Sequence, residues 1–112
     1  MPRKYARSMD VLTAIQMLEE EWNTVEEIGF FGELESGNFN VEKFERVQDI
    51  LKSVEVPAGE SIDKRFVEVV WFIPTFMRWQ QDDWRIDKKD TKLLDEAISY
   101  VEQRLTTILG LP

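Results

Sequence analysis

Carboxylates are the residues of this chain that could do chemistry, because the sequence contains no histidine and no cysteine among its 112 residues. Serine triads, cysteine–histidine pairs and histidine-ligated zinc, haem or di-iron sites are therefore excluded. Magnesium is the remaining candidate metal, since it takes oxygen ligands and can hold a phosphate substrate beside carboxylates. The leading expectation is a protein with no catalytic residue, no bound metal and no cofactor.

Two pairs of acidic residues have the spacing that a magnesium site on helices would need. Glu42 and Glu45 form an E-x-x-E pair, and Glu60 and Asp63 repeat the same spacing. This pattern resembles that of the all-α nucleotide pyrophosphohydrolases, and the resemblance implies a magnesium-dependent phosphohydrolase. Basic residues that could hold a triphosphate are scarce near these acids, and neither glycine-rich phosphate motif is present. The phosphohydrolase is therefore an alternative function.

Negative charge is concentrated in the first half of the chain. Residues 8–56 contain twelve carboxylates and three basic residues, and the whole chain has a formal net charge of −8. Nucleic-acid-binding domains neutralise phosphates with clustered Lys and Arg, so this charge argues against a DNA or RNA partner. It favours a basic protein partner. The acids expected to steer that partner are Glu26, Glu27, Glu33 and Glu35.

A second group of residues in the other half of the chain is typical of a protein interface. Tryptophan and arginine are the commonest energetic anchors of interfaces, and both types occur here among acids. The alternative is that the tryptophans complete the core while the arginines pair with nearby acids. The candidate partner-binding residues of this segment are Arg78, Trp79, Asp82, Asp83 and Trp84.

Together these features predict a small acidic protein-binding module that is not an enzyme. Its most concrete form is an inhibitor of the immunity or antitoxin type, which docks on a basic partner through acidic steering residues and aromatic anchors. A homodimeric structural or adaptor bundle is a second alternative, because exposed aromatic side chains could also be buried between two copies.

The location of the protein is predicted from what the sequence lacks. Arg3, Lys4 and Arg7 form a basic head that is not followed by the apolar stretch of a signal peptide, and no run of about eighteen apolar residues could span a membrane. Without cysteine there is no disulfide framework. We expect a cytoplasmic protein that does not bind membranes, with one domain over residues 1–112 and a flexible head at residues 1–7.

Apolar periodicity predicts an all-α fold. The first helix is expected over residues 9–28 with Ser8 as its cap, followed by a loop at 29–40 whose phenylalanines fold back over the core. Asn38 or Asn40 caps a second helix that ends before Pro57. Residues 57–59 form a hinge before a third helix, which Ser61 caps.

The third helix has a strand as its alternative, because residues 66–73 are β-branched and aromatic enough to form a buried strand. A helix is favoured, since no other segment shows strand alternation and a lone strand would have no partner. Pro74 is expected to kink it. A last helix, capped by Asp87 or Asp90 and ended by Gly110, completes an antiparallel bundle of about four helices.

Overall fold

The computed structural model describes residues 10–54 and 61–109. Within these ranges the chain forms five α-helices, which confirms the predicted all-α class but adds one helix to the expected four. The helices are α1 (Val11–Glu20), α2 (Phe30–Glu35), α3 (Val41–Ser53), α4 (Lys64–Ile86) and α5 (Lys92–Leu109). The basic head, the Pro57–Gly59 hinge and the end at Gly110 lie outside the described residues.

The four longer helices contact one another in a closed ring. Helix α1 packs on α3 and α4, α5 packs on the same two helices, and the short α2 packs on α3. One hydrophobic core lies inside this ring and draws side chains from all five helices. The largest fully buried side chains of this core include Leu18, Phe30, Phe31, Leu34, Ile50, Leu51, Phe66, Ile73, Met77 and Leu94. The antiparallel order of the helices stays a prediction.

Helix α1 is shorter than the sequence predicts. It begins after Asp10, whose carboxylate accepts a hydrogen bond from the Thr13 N–H at 2.7 Å, and the predicted cap Ser8 lies outside the described residues. After Glu20 the backbone N–H groups donate hydrogen bonds to the carbonyls three residues earlier, a tighter turn with which the helix ends. The predicted helix over 9–28 is therefore wrong at its C-terminal end, and Val25, which follows the buried Leu18 at helical spacing in the sequence, is 67% exposed.

The predicted loop at 29–40 is wrong in its first part, because residues Phe30–Glu35 form α2. Two glycines let this short helix lie directly on the end of α1. A Cβ atom on Gly29 would come within 2.3 Å of the Glu21 backbone, and one on Gly32 within 2.1 Å of the Asn23 carbonyl oxygen. The expectation that Phe30 and Phe31 cover the core is confirmed, since both side chains are fully buried.

The remaining helices follow their sequence signals closely. Asn40 caps α3 as predicted, accepting a hydrogen bond from the Lys43 N–H at 3.1 Å. Asp63, rather than the predicted Ser61, caps α4. At the start of α5 the Asp90 carboxylate accepts a hydrogen bond from the Lys92 N–H at 2.9 Å.

Residues 66–73 are helical, so the strand alternative is wrong. Helix α4 runs for 23 residues with Pro74 in its interior. A proline at this position cannot donate a bond to the Val70 carbonyl, which is why a kink is expected, and the kink stays a prediction. None of the described helices is long and apolar enough to cross a lipid bilayer.

Candidate functional site

A row of aromatic side chains follows one side of α4. Phe72, Phe76 and Trp79 recur at spacings of four and three, which places them on one helical face. Phe72 is 41% exposed and Trp79 is 54% exposed, whereas Phe76 is buried beneath them. The ring centroids of Phe72 and Trp79 are 5.6 Å apart in an edge-to-face arrangement. Large aromatic surface thus reaches solvent on this face.

Trp22, from the segment that follows α1, extends this row sideways. Its ring stacks on Phe31 with a centroid separation of 4.4 Å and contacts Phe72 at 5.4 Å and Phe76 at 4.6 Å. The buried Phe31 belongs to α2, so the exposed rings rest on rings that are fixed in the core. This packing limits the rotamer entropy that the exposed rings could lose when another molecule binds them.

Carboxylates lie at both ends of the aromatic row. Glu68 precedes Phe72 by one helical turn, and Asp83 follows Trp79 by one turn. At a rise of about 1.5 Å per residue, Glu68 and Asp83 are about 22 Å apart along the helix axis. Glu35 at the end of α2 lines a shallow pocket together with Asp83. We call Trp22, Phe72 and Trp79, with Glu68 at one end and Glu35 and Asp83 at the other, the aromatic–acidic face.

Three of the predicted partner-binding residues, Glu35, Trp79 and Asp83, lie toward one end of this face. Glu35 of α2 and Asp83 of α4 line one pocket. Trp79 precedes Asp83 by one turn on the same side of α4. Within the described part of the chain, the exposed carboxylates of Glu35 and Asp83 make no hydrogen bond and no ion pair. Asp82 is also exposed, and its carboxylate lies 3.9 Å from the Arg85 guanidinium.

Two other predicted residues of this segment are held by contacts within the chain. Trp84 is only 8% exposed, and the Lys89 ammonium lies 4.8 Å from its ring centroid. A ring this buried does not fit the predicted role of an exposed anchor. The core alternative of the sequence analysis holds for Trp84 but not for Trp79. Arg78 faces α5, where its guanidinium pairs with Glu102 at 2.5 Å.

Glu33 joins α2 to the start of α3. Its carboxylate pairs with the Lys43 ammonium and accepts hydrogen bonds from Asn38 Nδ2 at 2.5 Å and Asn40 Nδ2 at 3.2 Å. The hydrogen bond from Lys43, with those from the two asparagines, holds the pKa of the Glu33 carboxyl below its usual range. Glu33 therefore stabilises the fold, and its predicted role as a free steering charge does not fit this position.

Glu26 and Glu27 lie in the segment between α1 and α2 and are exposed. Glu26 has a φ of 57°, a left-handed conformation that is uncommon outside glycine and asparagine. Both residues line a groove of about 710 Å³ together with Glu20, Lys43 and other residues of α1 and α3. The structure thus places these two acids in a different groove from Glu35 and Asp83.

Glu21 is a structural residue that the sequence analysis missed. It is the one charged side chain that is buried among the described residues, at 6% exposure. A signal for it exists in the sequence, because position 21 follows the buried Ala14 and Leu18 at helical spacings of four and three. A carboxylate on the buried face of a helix needs a partner, and such a position marks a buried ion pair.

The acid pairs proposed for magnesium do not converge in the described part of the chain. Glu42 and Glu45 are exposed on α3, Asp63 caps α4, and Glu60 lies outside the described residues. Across residues 10–54 and 61–109, no group of three or more acidic side chains is placed to hold a metal ion.

Comparisons with protein-family models, curated proteins and solved structures give no match for this chain.

Proposed function

We propose that the chain is a small acidic protein-binding module that docks on a basic partner protein through the aromatic–acidic face. The observation that supports this most directly is the exposure of Phe72 and Trp79 on a face where Glu35 and Asp83 have no partner within the described residues. Aromatic side chains packed on a rigid base and surrounded by charge are typical of binding hot spots.

The two kinds of residue on this face have different roles in such a complex. Burying an exposed aromatic ring contributes roughly 2–3 kcal/mol from the area removed from water, which lengthens the lifetime of the complex. Carboxylates at the rim add little to the affinity, but they accelerate encounter with a positively charged surface and repel acidic proteins. Glu35 and Asp83 therefore select the partner, and Trp79 holds it.

An inhibitor of the immunity or antitoxin type is the most concrete form of this proposal. A nuclease or another protein that acts on nucleic acid must present a basic surface to phosphates. A small protein with a formal net charge of −8 can cover such a surface and block access to it. Complementary charge gives the rapid association that an inhibitor of a toxic enzyme needs.

A homodimer through the same face is the second candidate, because two copies could bury Phe72 and Trp79 against each other. A two-fold symmetric contact, however, presents the same patch on both subunits. Because both ends of the face are acidic, it would bring carboxylates of one copy close to carboxylates of the other, between two molecules that each carry a net charge of −8. Like charges at an interface oppose association, so a basic partner fits the face better than a second copy does.

Capture from a lysate of the native host tests the proposal. The immobilised chain should retain a basic protein at low salt and release it at high salt, since the rim contacts are electrostatic. Trp79→Ala and Asp83→Lys should lose that protein. The matched controls Trp71→Ala and Glu96→Lys should retain it, because Trp71 is exposed in a pocket beside α5 and Glu96 is exposed on α5. Purified partner should then lose its own activity when the chain is added. A captured protein that all four variants retain equally would show that the aromatic–acidic face is not the docking surface.

A further inference from the structure

A cavity of about 400 Å³ lies at the Glu68 end of the aromatic–acidic face. Its walls combine two aromatic rings with two carboxylates, one from α1 and one from α4. The lining residues are Glu19, Trp22, Arg65, Glu68, Val69 and Phe72. Rings and carboxylates together form the surroundings that a cationic side chain prefers, because the rings attract it through their π faces and the carboxylates pair with it.

A guanidinium group already binds at this cavity. Arg65, one turn before Val69 on α4, pairs through Nη2 with Glu19 Oε2 on α1, and both side chains are about half exposed. The second carboxylate, Glu68, is held only loosely, since the nearest cation is the Lys64 ammonium at 4.0 Å. One carboxylate of the cavity therefore carries the chain's own arginine, while the other remains accessible.

From these contacts we propose that the cavity binds an arginine side chain of the basic partner. The incoming guanidinium pairs with Glu68 and competes with Arg65 for Glu19, and its plane lies against the ring of Trp22 or Phe72. Arginine fits better than lysine because its planar group stacks on aromatic rings and donates two parallel hydrogen bonds to one carboxylate. This inference rests on the proposed function and names the chemistry that the partner must present at one end of the face.

The competition gives a signature that a merely structural ion pair would lack. If the Arg65–Glu19 pair served only to join α1 and α4, removing either residue would reduce stability by a similar small amount and leave binding unchanged. If a partner arginine replaces Arg65, removing Arg65 strengthens binding and removing Glu19 weakens it. The two members of one ion pair then have opposite effects on affinity.

Titration calorimetry with hexa-arginine and hexa-lysine peptides at low salt measures this directly. The wild-type chain should bind hexa-arginine several-fold more tightly than hexa-lysine. Arg65→Gln should tighten hexa-arginine binding about two- to fivefold, and Glu19→Gln and Glu68→Gln should weaken it by a similar factor, the range expected for an exposed ion pair. Two variants on α5 control for net charge. Lys92→Gln removes one positive charge, as Arg65→Gln does, and Glu96→Gln removes one negative charge, as the two glutamate variants do.

Equal affinity for the two peptides, or an effect of Arg65→Gln no larger than that of Lys92→Gln, would overturn the inference. Thermal unfolding of each variant shows whether a change in affinity comes from a change in folding. The arginine inference and the proposed function can also fail separately. If the peptides are not distinguished but the partner is still captured through Trp79 and Asp83, only the arginine inference fails. If capture does not depend on Trp79 and Asp83, the proposed function itself fails.

Discussion

Arg46 on α3 holds the buried carboxylate of Glu21 with two hydrogen bonds, from Nε at 3.0 Å and from Nη2 at 2.9 Å. The same carboxylate accepts a hydrogen bond from the Phe30 N–H at 2.9 Å, at the first residue of α2. The Glu21 carbonyl also accepts one from the Phe31 N–H at 2.8 Å. One residue at the end of α1 thus fixes both α2 and α3, and α2 in turn carries Phe31 beneath Trp22.

Replacing Glu21 by alanine should lower the free energy of unfolding by about 2–3 kcal/mol, because the Phe30 N–H loses its acceptor and Arg46 loses a bidentate partner. The estimate stays below that for a fully buried pair, since the Arg46 side chain is half exposed. Urea denaturation measures the change. Glu20→Ala, which removes the exposed neighbouring carboxylate, should change stability by less than about 0.5 kcal/mol. Equal stability of the two variants would contradict the structural role of Glu21.

The contact between α2 and the end of α1 makes Gly32 sensitive to the smallest added side chain. In Gly32→Ala the new Cβ would lie 2.1 Å from the Asn23 carbonyl oxygen, so the backbone must shift. We expect a loss of at least about 2 kcal/mol, at the upper end of what overpacking usually costs. Glu35→Ala, an exposed position on the same helix, is the control and should leave the unfolding midpoint in urea almost unchanged.

The sequence predicted the helices whose ends depend on local signals. Helix α3 has Asn40 as its cap and an apolar stripe that is buried from Phe44 onward, and α5 buries Leu94, Ile98 and Val101 at helical spacing. The end of α1 depends instead on a contact with residues eight or nine positions further along the chain, outside the helix. Trp22 and Val25 continue the apolar period of α1, but Gly29 and Gly32 bring α2 onto its end and the chain turns away.

The candidate site was predicted only in part, for the same reason. Trp79 and Trp84 have the same composition around them, and their exposure depends on which side of α4 the other elements cover. Glu33 and Glu35 are likewise indistinguishable in the sequence. Only the fold places Lys43 and two asparagines around Glu33 and leaves Glu35 in solvent. Charge patterning therefore predicted an acidic surface but not which acids belong to it.

Stability should depend on pH through Glu33. Its pKa is lowered from the usual 4.5 in the folded chain, so its contribution is fully present above that value and is lost as the pH falls through 4.5 and below. Glu33→Gln should therefore unfold with a shallower loss of stability between about pH 5 and pH 3 than the wild type does. Urea denaturation at several pH values measures the slopes. Glu35→Gln, which removes an exposed carboxylate from the same helix, is the control, and a slope of Glu33→Gln identical to that of the wild type would contradict the prediction.

Truncation of the two tryptophans near the end of α4 should reduce stability by very different amounts. Trp84→Ala removes a buried ring and should lower the free energy of unfolding by about 3–5 kcal/mol. Trp79→Ala removes a ring that is more than half exposed and should reduce stability by about 1 kcal/mol or less. Thermal unfolding followed by circular dichroism separates them. A Trp79 variant that unfolds as readily as the Trp84 variant would mean that Trp79 is a core residue and unsuited to docking.

Once a partner is captured, charge reversal and ring removal should affect different rate constants. Reversing Glu35 and Asp83 together to lysine should reduce the association rate at low salt about tenfold and leave the dissociation rate nearly unchanged, because rim charges act mainly on encounter. Trp79→Ala should instead raise the dissociation rate about tenfold or more, as loss of a buried anchor does.

Surface plasmon resonance measures both rates, and the double variant Glu45→Lys with Glu96→Lys is the charge-matched control. If that control slows association as much as the Glu35 and Asp83 double variant does, the partner responds to net charge alone, and the position of the acids on the aromatic–acidic face has no role in steering.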